Sequence, residues 1–192
     1  MSYLLDVIGS FVIGALVLLM LFRFNQTLLS ASNEKLLYNI SQLNTVVTTD
    51  VIEYDFYKIG FRVDTSDVFL ACGSEGLTYL SDWDNDGLVD TIEYSLSDEK
   101  VLEHTANPRD KVLYRTVNEG DPQIIAAVVD FELSYRDTSG KLFTPTSGLG
   151  VREKRRIVRG IEVYIYLESP DPVDGIYQGT EWKRNLSLKN IY

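Results

Sequence analysis

Two hydrophobic periods divide this chain. From Val7 to Phe22 the run VIGSFVIGALVLLMLF carries no charge. With Tyr3 to Asp6 added it reaches about 20 residues, the length an α-helix needs to cross the ~30 Å hydrocarbon layer of a bilayer. Beyond it, Leu29, Leu36, Leu37, Ile40, Leu43, Val47, Tyr54 and Tyr57 recur at threes, fours and sevens, with Asn33, Glu34, Lys35, Asn39, Gln42 and Asn44 between them. That is the period of a helix with one apolar stripe and a solvated remainder. No proline occurs before Pro108, and Gly60 stands where a helix C-terminus favours glycine. The pattern predicts one helix from Tyr3 to Ile59, ~85 Å long at 1.5 Å per residue. Its inner half is lipid-like, and its outer half has one greasy face on which a domain is expected to pack.

From Phe61 the period shortens to two, with β-branched runs broken by turn residues. Strands are expected at Leu77–Ser81, Thr91–Leu96, Val112–Val117, Ala126–Arg136 and Arg156–Leu167. Asn85-Asp86-Gly87, Glu119-Gly120-Asp121-Pro122 and Asp137-Thr138-Ser139-Gly140 supply turns, and Thr144–Gly150 reads as a loop. The expected fold class is α+β: a long N-terminal helix, half transmembrane and half amphipathic, packed on an antiparallel β-sheet domain. The corresponding divisions are an anchor at 1–24, an amphipathic continuation at 25–60 and a β-rich domain at 61–192.

Composition changes little in this picture, but charge placement adds to it. The net charge is −10, and residues 51–105 hold 13 acidic against 3 basic side chains, which accounts for all of it. A surface of that sign repels phosphate, so nucleic acid is excluded as an expected partner, whereas membrane lipid is an expected one. The N-terminus Met-Ser-Tyr-Leu-Leu-Asp lacks the basic start of a signal peptide, and Phe22-Arg23-Phe24 lacks a small-residue cleavage site. The apolar run is therefore expected to be an uncleaved anchor. Single residues Cys72 and His104 read as a small buried hydrophobe and a surface loop residue.

Three groups of side chains carry candidate chemistry. Asp6 sits at the edge of the apolar run, where a carboxylate costs on the order of 3 kcal/mol to insert. The segment Asp82-x-Asp84-x-Asp86-Gly87-Leu88-Val89-Asp90-x-x-Glu93 matches the twelve-position calcium loop, with oxygens at 1, 3, 5, 9 and 12 and glycine at 6. Ca²⁺ is thus the one cofactor suggested. Strands, not helices, flank the segment, so Glu93 is not expected to join Asp82, Asp84, Asp86 and Asp90 on one side. A solvated Asp/Asn/Gly turn is the competing reading. Arg152, Lys154, Arg155 and Arg156 form a basic run that reads either as a solvated edge or as a contact for an acidic partner. No set of residues with nucleophilic or metal-hydrolytic spacing is present, and an enzyme is not expected.

Four stretches carry a resemblance. Ser2-Tyr3-Leu4-Leu5-Asp6 before the apolar run, Val51 to Phe61 at the helix end, the Asp-rich hairpin in Leu77–Leu96, and Lys183 to Asn190 resemble the type IV pilin superfamily, in particular minor pilins and type II secretion pseudopilins of the W and J kinds. The resemblance implies a structural subunit that joins other pilin-like subunits through its N-terminal helix. It implies an anchor in the inner (cytoplasmic) membrane and a C-terminal domain in the periplasm or extracytoplasmic space. Asp6 would then neutralise the N-terminal amine of a neighbouring subunit. Two features depart from the family pattern: no basic leader precedes the run, and the acidic residue is Asp, not Glu. Arg23 and Lys35, the basic residues nearest the anchor, lie on its C-terminal side and by the positive-inside rule favour the opposite orientation. The alternative is a single-pass membrane-anchored binding or sensor domain that does not polymerise.

Overall fold

The computed structural model describes residues 2–65, 67–97, 107–143 and 157–191. One helix, α1 (Ser2–Tyr57), is followed by β1 (Phe69–Cys72), β2 (Gly76–Ser81), β3 (Asp90–Leu96), β4 (Lys111–Val117), β5 (Gln123–Val128), β6 (Asp130–Arg136), β7 (Leu142–Phe143), β8 (Gly160–Glu168) and β9 (Gly179–Ser187). The strands form two antiparallel sheets, one of order β1-β2-β3-β4-β5 and one of order β7-β6-β8-β9. The chain is α+β, as its hydrophobic pattern requires. The helix is long and apolar enough to span a membrane in its N-terminal part.

The helix ends where expected, and the exit is tightly specified. Gly60 takes φ +77°, and a Cβ there would lie 2.9 Å from the carbonyl oxygen of Asn190. Only glycine accepts both the left-handed backbone and that approach. Asn190 Nδ2 in turn donates to the Tyr57 carbonyl at 2.9 Å, satisfying one of the orphan acceptors at the helix end. The Gly60 N–H donates to Leu80 and the Asp82 N–H to Phe61, so the helix exit is stitched to the end of β2.

The greasy stripe meets the domain only at its margin: Leu37 and Ile40 are half-buried, and Leu43 and Val47 line a cleft with Ile125, Ala126, Ala127 and Leu167. Leu29, Leu36 and Leu43 are 61, 57 and 63 % exposed, and Val47, Tyr54 and Tyr57 are exposed with them. At 100° per residue, Leu29, Leu36, Leu43, Val47 and Tyr54 fall within about 20° of one line. The residues that the domain covers are Ser41, Thr45, Thr48, Thr49, Ile52, Asp55 and Phe56, on roughly the opposite side. Small hydroxyl side chains can take that position because the helix itself satisfies them. Thr45 Oγ1 donates to the Ser41 carbonyl at 2.8 Å, and Thr49 Oγ1 to that of Val46 at 3.0 Å. With its own hydrogen bonds closed, this face lets β9 approach closely, and Ser41 Oγ meets Thr180 Oγ1 at 3.3 Å.

The core gathers at the C-terminal end of the helix. Ile52, Phe56 and Ile59 join Leu77, Tyr79, Ile92 and Tyr94 of the first sheet and Phe131, Leu133, Tyr135, Val163 and Ile165 of the second, all buried. Phe56 meets Tyr94 edge-on at 5.2 Å between ring centroids, a favoured aromatic geometry.

The run Ala126–Arg136, expected as one strand, is two. It crosses from one sheet to the other at Val129, whose N–H donates to Tyr166 of β8, while Val128 pairs with Lys111 and Asp130 with Tyr166. Three edge strands, β1, β7 and β9, also form where the residue pattern was not read as strand. β9 (GTEWKRNLS) is held largely by polar contacts: Lys183 to Glu162 at 2.7 Å, Arg184 to Glu53, and Asn185 to Arg136 at 3.0 Å.

Candidate functional site

Asp6 lies on the exposed N-terminal part of α1, beside a shallow depression lined by Tyr3, Val7, Ser10, Phe11 and Gly14. Among the described residues no side chain pairs with its carboxylate; the Ser10 hydroxyl donates to its backbone carbonyl instead. Farther along the same helix, the apolar stripe from Leu29 to Tyr57 runs ~42 Å. Its leucines at 29, 36 and 43 recur every seven residues, and the second and third are followed four residues later by Ile40 and Val47. Alternate steps of four and three are the spacing by which one helix packs its side chains between those of another.

The second candidate is the loop between β2 and β3. The structure brings Asp82, Asp84 and Asp86 together, with one carboxylate oxygen of each within 4.8 Å of the others. The backbone makes the turn through left-handed Asn85 (φ 66°) and Gly87 (φ 90°). Asp84 Oδ1 accepts from the Asp86 N–H at 3.1 Å, and Asp86 Oδ1 from the Leu88 N–H at 2.7 Å. Asp82 is wholly buried. Its Oδ2 accepts from Arg62 Nη1 at 2.9 Å and from the Gly87 N–H at 3.2 Å, while Oδ1 is buried with no hydrogen bond of ordinary geometry. Burial opposes the charged form of Asp82, but Arg62 and the Gly87 N–H outweigh it and hold the carboxyl below its ordinary range.

Asp90 and Glu93 are not part of that group. Asp90 accepts from the Trp83 N–H at 3.0 Å and from Asn118 Nδ2, so both of its oxygens brace the hairpin. Glu93 is exposed in β3, opposite Thr78 and Thr116, because the strand carries it away from the turn. The basic run Arg152, Lys154, Arg155 and Arg156 lies outside the described residues, as do His104 and Thr144–Gly150.

Sequence reasoning missed Asp55. This helix residue is fully buried and accepts from Trp83 Nε1 at 2.9 Å, Arg115 Nη1 at 2.9 Å and the Tyr94 hydroxyl. Tyr79 donates to its backbone carbonyl at 3.2 Å. Burial, and after it the negative charge of Asp55, push the phenols of Tyr79 and Tyr94 well above their ordinary range. Burial opposes the charge on Arg115, but Asp55 more than offsets it and raises that pKa. The guanidinium also lies 4.8 Å from the Trp83 ring centre. Asp55 thus joins the helix, the acidic loop and β4. The only signal for it in the sequence was a carboxylate between apolar Tyr54 and Phe56.

The molecule is of the class that joins one long N-terminal helix, able to span a membrane, to two antiparallel sheets. Its general shape is consistent with that of pilin-like proteins. No protein-family model matches the chain, and no curated protein matches it.

Proposed function

We propose that this protein is a structural subunit, a minor pilin or pseudopilin, of a type IV pilus-like filament or type II secretion pseudopilus. The observation that carries the reading is the direction of the helix's apolar stripe. The globular domain covers the last turns of α1 on one side; Leu29, Leu36 and Tyr54 of the stripe are exposed, while Leu43 and Val47, also exposed, line the rim of a cleft that the helix makes with Ile125, Ala126, Ala127 and Leu167. A contiguous apolar strip of that length in water calls for a partner surface, and its heptad spacing suits other helices of the same kind. The strip continues into a membrane-compatible segment, so the same helix can lie in lipid before assembly and against neighbours after it. Asp6 supports this reading. In hydrocarbon its carboxylate needs a cation, and a neighbouring subunit's N-terminal amine is a cation at the same depth.

In this reading the anchor lies in the cytoplasmic membrane and the two sheets stand outside the cytoplasm. The test is to produce the chain with its genomic neighbours and measure its content in sheared filaments. Asp6→Ala is expected to abolish incorporation while membrane residence is kept. Incorporation at the wild-type level would sink the assembly role of Asp6. Absence of the wild-type chain from any filament would favour a single-pass binding or sensor domain that never polymerises.

A further inference from the structure

We infer that the β2–β3 loop is a calcium site, with Asp82, Asp84 and Asp86 as its carboxylate ligands. The inference does not depend on the filament reading. Three carboxylates within 4.8 Å of one another repel, and in a folded protein such a group needs a reason to stay together. Turn formation accounts for two of them, since Asp84 and Asp86 each accept a backbone N–H two residues ahead. It does not account for Asp82. That side chain is wholly buried, its Oδ2 is used by Arg62 and Gly87, and its Oδ1 is enclosed with no hydrogen bond of ordinary geometry, although the Asn85 N–H also acts on the carboxylate. A buried acceptor without a well-aligned donor is costly. A cation seated between Oδ1 and the two exposed carboxylates would remove both that cost and the repulsion.

The donor set selects the metal. All three side chains offer hard oxygens, and none offers nitrogen or sulfur, which favours Ca²⁺ or Mg²⁺ over transition metals. Spacing at alternate residues with a left-handed Gly87 as the sixth position follows the start of the calcium loop. A flexible loop completed by water suits the variable coordination of Ca²⁺ better than the strict octahedron of Mg²⁺. Glu93, the bidentate residue that would close the loop, is carried off by β3. With that ligand lost, affinity should fall in the weak class of about 10⁻⁴ to 10⁻³ M that extracellular modules use.

The loop also touches the helix end. Lys58 Nζ donates to Asn85 Oδ1 at 3.2 Å and to the Trp83 carbonyl, and the Trp83 indole donates to Asp55. Metal binding is therefore expected to stiffen the junction between helix and sheet and to report through Trp83.

The experiment is calcium titration of the full chain in nanodiscs. Calorimetry and tryptophan fluorescence are read for wild type, Asp82→Asn and the double variant Asp84→Asn/Asp86→Asn. The two exposed residues are included because their loss leaves the core intact even where Asp82→Asn fails to fold. Saturable Ca²⁺ binding, weakened at least tenfold in the double variant, is expected, together with a melting temperature that Ca²⁺ raises in wild type alone. No binding up to about 10 mM Ca²⁺, ten times the weak limit of natural modules, overturns the site. So does binding that the double variant leaves unchanged. Mg²⁺ competing as well as Ca²⁺ overturns the choice of metal.

Discussion

Asp55 shows how much one side chain can hold at the residue scale. It and its partner Arg115 have 1 % and 13 % of their side chains exposed, so water screens this pair little. Removing one member of such a pair leaves the other buried without compensation, a loss of about 3–5 kcal/mol. Asp55→Ala is therefore expected to destabilise the domain by about 3 kcal/mol or more, measured by urea unfolding of the detergent-solubilised chain. The same variant should release the Trp83 indole and change its emission, since Asp55 accepts its N–H. A shift within about 0.5 kcal/mol, the range of ordinary surface substitutions, would show that the network is not a stabilising centre.

For the helix as an element, the two faces make opposite predictions. Leu29 and Leu36 are exposed and Thr45 is buried. Leu29→Gln/Leu36→Gln keeps helix propensity nearly level and lies N-terminal to the turns that the sheets cover. It is expected to leave domain unfolding unchanged while abolishing cross-linking between copies in the membrane. Thr45→Leu instead forces extra volume between helix and domain, and overpacking of this kind costs about 1–3 kcal/mol. If the leucine pair proved the destabilising one, the sheets would pack on the apolar stripe and leave no helix face for a neighbour. The heptad spacing was legible from residue types, but its direction was not. An apolar stripe specifies that something covers it, and either the chain's own domain or a second molecule meets that demand. The Ser/Thr face gave no sign of burial because the hydroxyls of Thr45 and Thr49 are satisfied by carbonyls four and three residues back.

Across the whole molecule, charge couples the second sheet to pH. Glu162 of β8 is nearly buried between Lys183 of β9 at 2.7 Å and Arg136 of β6 at 3.4 Å. The Lys183 hydrogen bond, opposed by burial and aided by the Lys183 and Arg136 charges, holds its carboxyl below the ordinary 4.5. A depressed carboxyl stabilises the fold above its unfolded-state pKa, and that contribution is lost as pH falls through the folded value. Wild type is thus expected to lose stability below about pH 4.5, and Glu162→Gln to be less stable than wild type at neutral pH. The two curves should converge in acid, as thermal melts across pH 3–7 would show; a constant gap would assign the loss to packing instead.

What residue order alone decided is local or one-dimensional. The charge-free run, the unbroken helical period to Gly60, the α+β class and the hairpins around Asn85-Asp86-Gly87 all follow from spacing and backbone preference, which act over a few residues. Four features waited for the tertiary structure: the sheet switch at Val129, β9 as a polar strand, the burial of Asp55, and the grouping of Asp82 with Asp84 and Asp86 but without Asp90. Each depends on which distant segment supplies a partner. Val129 leaves one ladder because Tyr166 offers an acceptor in the other, and Asp90 is lost to the acidic group because the Trp83 N–H and Asn118 Nδ2 take its two oxygens. The long helix carries both lessons. Its length is written in its period, but the side it turns to its own domain was decided by where small, self-satisfied hydroxyls let a strand come close.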